Sequence, residues 1–287
     1  MKLLTWNVQW CCGVDKRVDP ARIVAEAKRL GDFDVICLQE IADNFPHPRL
    51  HGSAGENQFE VLASLLPGYT AIAGHAVDHP AEDGRRRHFG NMILSRLHVR
   101  QVYRHLLPSP VDPGINGMNR VAVEAVITAP FGDLRVITTH LEWYSVKQRS
   151  AQVEALRAIY AEGYAHARQG SIVDQSGGPF QTYPRPAATL FCGDFNLEYV
   201  DPLHARMQEP FADGTPSLVN AWDLVNAGVP YPATFKVHEK WVPGDPELHC
   251  DFFFVSPELA ARVRSVTSDR DTQASDHQPV MLELAAD

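Results

Sequence analysis

One short stretch of the sequence combines an apolar run with a carboxylate and a carboxamide. Residues Thr189 to Cys192 form the apolar run, Gly193 follows it, and Asp194 and Asn196 come directly after. The run predicts a buried strand, and the glycine allows the backbone to turn tightly at its end. The strand would therefore hold an acid and an amide at its mouth.

The same arrangement, a polar tip beside an apolar run, recurs along the whole chain. The tips are Asn7, Glu40, His140, Asp194 with Asn196, Asp251, and Asp276 with His277. Strands of packed sheets bring their ends to a common rim, and ligands of α/β proteins bind at such rims. We therefore expect these side chains to converge at one site although they are distant in sequence.

The residue types at these tips indicate a metal-assisted reaction. Carboxylate and amide oxygens are hard ligands that suit Mg²⁺, with Mn²⁺ as the alternative. The sequence contains no Ser-His-Asp elbow, no Gly-x-x-x-x-Gly-Lys phosphate loop and no His-Glu-x-x-His zinc helix. The set can direct the attack of water on a phosphate ester, with a carboxylate orienting the water and a histidine supplying charge or a proton.

Composition limits the class of protein. The 287 residues are 45% hydrophobic and 21% charged, which suits one large α/β domain, and we expect a single domain over residues 1–287. The net charge of -9 disfavours tight, non-specific binding to nucleic acid, because that affinity comes from cations that neutralise phosphates. A local basic patch could still provide it.

The cysteines and the N-terminus predict a cytoplasmic protein. The five cysteines are odd in number and three lie in apolar strand-like runs, which favours reduced core thiols. Residues Met1 to Val8 are too short for a signal peptide, and no stretch resembles a membrane span. Nothing in the sequence indicates an obligate protein partner.

The elements that must position the polar tips can be followed along the chain. Asp19-Pro20 predicts a helix start between two strands, and Ser145 with Gln148 predicts another. Strands are predicted at 2–8, 34–38, 69–73, 90–95, 99–107, 120–128, 134–139, 189–192, 251–256 and 280–284. Loops are predicted at 42–57, 79–87, 108–118 and 169–187, and irregular proline-rich chain runs from about 208 to 247.

The ordered set of motifs resembles the endonuclease/exonuclease/phosphatase superfamily, whose fold is deoxyribonuclease I-like. The matching stretches are Thr5-Trp6-Asn7, Leu38-Gln39-Glu40, Thr139-His140-Leu141, Gly193-Asp194-Phe195-Asn196, Asp251 to Ser256, and Ser275-Asp276-His277. They occur in the family's order from near residue 5 to near residue 277. The resemblance implies a four-layer α/β sandwich, in which two mixed β-sheets pack face to face with helices outside.

The resemblance also implies a metal site. Glu40 would be the principal metal ligand. Asn7 would assist at the metal and orient Asp194, and Asp276 would lie near the metal. The expected cofactor is Mg²⁺, with Mn²⁺ possible on the same ligands.

A second group of residues would act on the phosphate. The resemblance implies that Asp194 positions or deprotonates the attacking water and that Asn196 holds a phosphate oxygen or that water. His140 would bind a phosphate oxygen. His277 would contact the scissile phosphate as acid, base or electrostatic stabiliser, with Asp251 fixing its tautomer. Whether Asp194 or His277 is the base stays open.

The sequence departs from two branches of the superfamily. Gln9 and His140 stand where the apurinic-endonuclease branch has an Asp and a Tyr. The region 246–251 lacks the Pro-x-Trp-x-Asp-Arg signature of the 5-phosphatase branch. An inositol phosphate substrate is therefore not favoured.

The predicted function is metal-dependent hydrolysis of a phosphate ester. The leading candidate is a phosphodiesterase or endonuclease-type enzyme whose substrate could be DNA or RNA. The alternatives are a phosphomonoesterase or lipid-headgroup phosphodiesterase with a small substrate, and a catalytically inactive binding module. The roles of loops 42–57, 79–87 and 108–118 stay open.

Overall fold

The computed structural model describes residues 1–169 and 173–286. Its strands are β1 (Lys2–Asn7), β2 (Val35–Asp43), β3 (Thr70–Pro80), β4 (Arg86–Ser95), β5 (Val99–Leu106), β6 (Val121–Ala129), β7 (Gly132–His140), β8 (Thr189–Asp194), β9 (Val219–Asn220), β10 (Asp251–Val255), β11 (Val263–Ser268) and β12 (Val280–Leu284). Its helices are α1 (Pro20–Leu30), α2 (Gln58–Leu65), α3 (Val146–Gln169), α4 (Pro202–Gln208), α5 (Ala221–Val225) and α6 (Pro257–Ala260).

The strands form two six-stranded mixed sheets. The first has the order β11-β12-β1-β2-β4-β3 and the second the order β5-β6-β7-β8-β10-β9. Each described sheet contains one parallel pair near its centre, β1 with β2 and β7 with β8, and a helix connects the two strands of each pair. The predicted four-layer α/β sandwich is confirmed.

Alternation along the strands builds the layers. On β1, Leu3 belongs to the core between the sheets, whereas Leu4 packs outward with Ile23 of α1 and Phe59 of α2. Successive side chains of a strand point to opposite faces, so one strand serves both layers. The central β7 and β8 are buried almost throughout, as expected for strands that are covered on both faces.

The first helix begins as the sequence predicts. Asp19 accepts a hydrogen bond from the backbone N–H of Arg22, and Pro20 occupies the first helical position. An N-cap of this kind stabilises a helix by about 1 kcal/mol. The buried face of α1 consists of Ile23, Val24 and Ala27.

Several predicted loops differ from the structure. Residues 79–80 belong to β3 and residues 86–87 to β4, and they pair as a hairpin, so the loop predicted at 79–87 is wrong at its two ends and is confined to residues 81–85. Arg86 lies beside Asp78 on that hairpin, and such cross-strand charge pairs stabilise polar strands. The region 208–247 contains β9 and α5, and the sequence also failed to predict β11. Within the loop predicted at 169–187, residues 170–172 lie outside the described residues.

The described part of the chain contains no helix that is long and apolar enough to cross a membrane. The five cysteines are free and buried, as expected for core thiols. The cytoplasmic location stays a prediction.

Candidate active site

Three neighbouring strands of the second sheet bring His140, Asp194 and Asp251 side by side. In the parallel β7–β8 pair His140 lies opposite Asp194, and in the antiparallel β8–β10 pair Asp194 lies opposite Asp251. The register of a central sheet is strictly set by its buried faces. The three side chains are therefore placed by the core rather than by a loop.

Gly193 allows this close approach. Its φ is +135°, and a Cβ atom at this position would lie 2.0 Å from the carbonyl oxygen of Thr139. No other residue could occupy the position without pushing β7 and β8 apart. The glycine before Asp194 is thus a requirement of strand packing.

Asn7 joins the two sheets at the rim. It ends β1, and its Nδ2 donates to Glu40 Oε1 at 3.0 Å and to Asp194 Oδ2 at 2.9 Å. Its own Oδ1 accepts the backbone N–H of Gln9 at 3.0 Å. One buried amide therefore holds one carboxylate from each sheet.

A β-bulge directs Glu40 into the site. The pairing of β2 with β4 shifts between Leu38 and Ile41, and Glu40 has a φ of +62°. A bulge reorients a side chain, and a left-handed conformation at a residue with a Cβ costs about 1–3 kcal/mol. Gln39, beside it, is buried between the sheets and donates to Thr138 Oγ1 at 2.9 Å.

The segment before β12 carries His277 to the same rim. Ser275 Oγ donates to the carbonyl of Asn7 at 2.8 Å, and Trp6 Nε1 donates to the carbonyl of His277 at 2.9 Å. His277 Nδ1 lies 2.9 Å from Asp251 Oδ2, and its Nε2 lies 3.7 Å from Asp194 Oδ2. The imidazole is thus held on one side and faces the acids on the other.

The structure brings all the residues predicted from the sequence to one rim. They are Asn7, Glu40, His140, Asp194, Asn196, Asp251, Asp276 and His277. His140 Nε2 lies 3.4 Å from Asp194 Oδ2 and 3.9 Å from Glu40 Oε1. Asp276 Oδ2 accepts Gln9 Nε2 at 2.7 Å, and the backbone N–H of Asn196 donates to Asp194 Oδ1 at 2.9 Å. Their individual roles stay predictions.

Burial raises the affinity of the rim carboxylates for protons. It raises the pKa of Glu40, and it raises the pKa of Asp194 and of Asp276 to about 6 each. Neighbouring carboxylates add to the effect, since Asp194 raises the pKa of Glu40 and Glu40 raises the pKa of Asp276. The rim therefore gathers more negative charge than the described side chains neutralise.

The two histidines differ in charge at neutral pH. Burial alone would lower the pKa of His277, but the carboxylates of Asp251 and Asp194 outweigh it and raise that pKa to about 10. Burial lowers the pKa of His140 well below its usual range, and the nearby positive charges of Arg120 and His277 lower it further. At neutral pH the site therefore holds one imidazolium and one neutral imidazole.

The donor set fits a hard divalent cation. Glu40, Asp276 and Asp194 offer carboxylate oxygens beside the amide of Asn7, and such oxygens suit Mg²⁺ or Mn²⁺. Among the described residues, Asp251 Oδ1 and Gln9 Oε1 are buried without a hydrogen-bond partner.

Among the described residues, one group of acid and imidazole side chains has ligand atoms close enough to share an ion. Ligand atoms of Asp194, Asp251 and His277 lie within 4.8 Å of one another. Within this group His277 is protonated and its Nδ1–H is directed to Asp251, so neither ring nitrogen offers a lone pair to a metal ion. The ligand set expected from the sequence, Glu40 with Asn7 and Asp276, stays a prediction.

A cleft of about 890 Å³ opens over the rim. Two of the loops whose roles the sequence leaves open line the cleft, through residues 49–51 and 114–118. The described lining does not include Arg85 to Arg87. Arg120 lies in its wall, where Nε is 3.3 Å from Glu142 Oε2 and Nη1 is buried without a partner among the described residues. An unpartnered guanidinium N–H beside the acids is suited to an anionic ligand.

Sequence reasoning missed three residues of the site. Gln9 holds Asp276, and Phe235 and Trp241 line the cleft from the segment predicted as irregular chain. The available signal was the presence of aromatic residues, Phe235 and Trp241 among them, in a stretch rich in proline. Their approach to His277 depends on long-range packing, which no local pattern reveals.

Comparisons with known proteins identify the family and the fold. A sequence model described as the Endonuclease/Exonuclease/phosphatase family matches residues 4–277. An endonuclease/exonuclease/phosphatase of Beutenbergia cavernae is 24% identical with a TM-score of 0.66, over 99% of this chain and 72% of that one. No curated protein sequence matches the chain.

Two further solved structures have the same fold. A mannosyl-6-phosphatase of Bacteroides thetaiotaomicron is 17% identical with a TM-score of 0.64, over 99% of each chain. TDP2 of D. rerio in complex with a single-strand DNA product is 18% identical with a TM-score of 0.62, over 99% of this chain and 98% of that one. At such identities the likeness shows the fold alone.

Proposed function

Because the chain belongs to the endonuclease/exonuclease/phosphatase family, we propose that it hydrolyses a phosphate ester with the help of Mg²⁺ or Mn²⁺. The observation that carries the proposal is the contact between Glu40 and Asp194 through Asn7, with His277 across from them. A carboxylate, a protonated imidazole and a metal-ligand set around one cleft are the groups that phosphoester hydrolysis requires.

Asp194 is the base in this proposal. Asn7 Nδ2 and the backbone N–H of Asn196 each donate to one of its carboxylate oxygens, so its orientation is fixed. With a pKa raised by burial to about 6, the carboxylate is ionised at neutral pH and basic enough to accept a proton from water. Asn196, whose backbone N–H donates to Asp194, would lie beside such a water.

His277 is the cationic partner. Asp251 accepts from Nδ1, which leaves Nε2–H directed towards Asp194 and the cleft. A protonated imidazole in this position stabilises negative charge on the phosphoryl group or donates a proton to the leaving oxygen. We therefore propose Asp194 as the base and His277 as the acid.

Glu40 would hold the metal, with Asn7 and Asp276 beside it. When bound, the ion supplies positive charge to the phosphoryl oxygens. His140 is neutral, and its Nε2 lies between Glu40 and Asp194, where it can donate to a phosphoryl oxygen. Arg120 offers its unpartnered Nη1–H from the cleft wall.

The cleft charge favours a small substrate as a second candidate beside a nuclease. Its described lining contains four carboxylates, Glu40, Glu142, Asp194 and Asp276, but only two arginines, Arg49 and Arg120, beside the imidazolium of His277. Tight binding along a polyanionic strand needs many cations. The lining is suited to one phosphate group, so phosphomonoesters and small phosphodiesters join DNA and RNA as substrates to test.

The direct test is turnover of several esters with Mg²⁺ or with EDTA. Bis-p-nitrophenyl phosphate, p-nitrophenyl phosphate, plasmid DNA and RNA are each incubated with the protein and with the Glu82→Gln variant, whose exposed carboxylate lies outside the described cleft lining. We expect turnover of at least one ester with Mg²⁺, none with EDTA, and no difference for the control variant. Absence of metal-dependent turnover for every ester would instead favour the inactive binding module.

A further inference from the structure

Three aromatic side chains form a wall beside His277. The ring of Phe235 stacks on the imidazole of His277, with centroids 4.4 Å apart and planes 23° apart. Trp143 and Trp241 meet Phe235 edge to face at 5.7 and 5.6 Å, and they lie 6.0 Å from each other. We call Trp143, Phe235 and Trp241 the aromatic wall.

The aromatic wall is fixed in position from behind. Arg149 Nη1 donates to the carbonyl of Trp143 at 2.9 Å, which ties this residue to α3. Lys236 Nζ lies 3.9 Å from the ring centroid of Trp241 and 3.1 Å from Asp245 Oδ2. A cation held over an indole by an ion pair restricts that ring at low entropic cost. The wall therefore presents preorganised rings to the cleft.

Nothing in the proposed hydrolysis uses this wall. Trp241 keeps 55% of its surface exposed while it lines the cleft. Large aromatic side chains contribute most when they are covered, and half-exposed rings beside a phosphate site are typical platforms on which flat groups stack. The cleft of about 890 Å³ also has room for much more than one phosphate group.

Charge and shape together indicate what the rest of the cleft binds. The acids and the two arginines account for one phosphate and its metal, so additional affinity must come from apolar contact. We propose that the substrate is a phosphate ester whose organic group carries a planar aromatic ring, and that this ring stacks on Trp241 and Trp143. This inference rests on the proposed hydrolysis and names the substrate class of the same site.

The test compares matched esters in the wild type, Trp241→Ala and Trp241→Phe. Phenyl and nucleoside phosphates carry a ring, whereas glycerol and methyl phosphates carry none, and each is offered as monoester and as methyl diester with Mg²⁺. The ratio of variant to wild-type kcat/KM for each ester cancels the intrinsic reactivity of its leaving group. We expect Trp241→Ala to lower kcat/KM for ring-bearing esters about tenfold more than for ring-free ones, and Trp241→Phe to restore most of it.

The control variant is Phe180→Ala, which removes an aromatic ring that is 85% exposed and outside the described cleft lining. It should leave all ratios unchanged. Equal losses for ring-bearing and ring-free esters in Trp241→Ala, or no loss for either, would overturn the proposal while the hydrolysis stands. A preference for phenyl over nucleoside esters, or the reverse, identifies the source of the ring.

Binding measurements keep the inference testable if no ester is turned over. Phenylphosphonate and methylphosphonate are titrated calorimetrically into the wild type and into Trp241→Ala. We expect the wild type to bind phenylphosphonate at least about tenfold more tightly than methylphosphonate and Trp241→Ala to lose this preference. Equal affinities in the wild type would contradict the inference, whereas failure of turnover alone would contradict only the proposed hydrolysis.

Discussion

The strands β7 and β8 carry buried charge at both of their ends, and the two ends differ. Arg135 lies opposite Thr189 at the amino ends, and His140 lies opposite Asp194 at the carboxyl ends. We call Glu124, Arg135, Arg185 and His105 the ion-pair cluster. The rim cluster consists of Glu40, Asp194, Asp276 and His277. Both clusters lie largely or wholly out of solvent. The pKa of the buried carboxylate is nevertheless lowered in the ion-pair cluster and raised in the rim cluster.

In the ion-pair cluster, cations surround the one buried carboxylate. Arg135 donates to both carboxylate oxygens of Glu124 at 2.6 and 3.1 Å, and His105 Nε2 lies 2.9 Å from the same carboxylate. Burial alone would raise the pKa of Glu124, but the hydrogen bonds from His105 and Arg135 outweigh it and lower that pKa to about 2. At the rim, burial raises the pKa of Asp194 to about 6.

The comparison separates stability from function. Removing one partner from a buried ion pair strongly destabilises a fold, whereas buried acids that share too few cations destabilise the free protein. Such an excess becomes useful when a metal ion and a phosphate enter the cleft. The same two strands therefore provide a rigid base at one end and a reactive rim at the other.

The largest expected effect is on activity, at the rim cluster. Asp194→Asn and His277→Ala remove the proposed base and acid, and each should lower kcat/KM by at least about 10³-fold. The free energy of unfolding should stay equal or rise in Asp194→Asn, since a strained charge is removed. Ester turnover and urea denaturation measure the two quantities, with Glu82→Gln as control. Activity within tenfold of wild type would refute the role assignment.

The next effect is on stability, at the ion-pair cluster. Glu124→Gln leaves Arg135 buried without its partner and should lower the free energy of unfolding by about 3–5 kcal/mol. Turnover at temperatures where the variant is folded should stay near wild type. The double variant Glu124→Gln/Arg135→Met should recover much of the loss. A loss of activity without loss of stability would show that the two ends are not separable.

The contributions of Glu124 and Asp194 to the free energy of unfolding should change with pH in opposite directions. The pKa of Glu124 is lowered, so its stabilising contribution is present above the unfolded-state pKa and disappears as pH falls towards about 2. The pKa of Asp194 is raised, so its ionisation costs stability increasingly as pH rises from about 4 to about 6, and fully above that.

This contrast can be measured by denaturation with EDTA present. Asp194→Asn should stabilise the protein by about 1–3 kcal/mol at about pH 8 and by almost nothing at about pH 4. Glu124→Gln should destabilise it strongly at about pH 8 and progressively less below about pH 4. Parallel pH profiles for the two variants would contradict the comparison.

The smallest expected effect is on stability, at Gly163 beside the ion-pair cluster. Gly163 lies in α3, and a Cβ there would be 1.9 Å from Arg135 Nη1. Alanine normally stabilises a helix relative to glycine by about 1 kcal/mol. Here Gly163→Ala should instead lower the free energy of unfolding by about 1–3 kcal/mol, because the guanidinium must shift. Thermal denaturation measures it, and a stabilised variant would show that α3 adapts at no cost.

Much of the fold and of the rim could be predicted from the sequence. Apolar runs predict the central strands, and a polar residue that ends a central strand must lie at the rim of the sheet. The tips at Asn7, Asp194 and Asp251 were therefore found without knowledge of their contacts. The match to the family spans all three tips, since it covers residues 4–277.

The rest depends on packing over long distances. The short, polar β11 has no apolar run of its own and forms because β12 pairs with it. The stacking of Phe235 on His277 and the pairing of Glu124 with Arg135 join segments that no local pattern relates. His140 and His277 differ in charge because of their burial and of the charged groups near them. The sequence alone does not reveal which groups lie near each histidine.

Calorimetric titration of Mg²⁺ into the metal-free protein tests most directly whether the excess acid at the rim holds a metal. We expect saturable binding in the wild type and in Glu82→Gln, and an affinity at least about tenfold weaker in Glu40→Gln. If Glu40→Gln bound Mg²⁺ as tightly as the wild type, the metal site would lie elsewhere and the contrast between the two ends would lose its functional meaning.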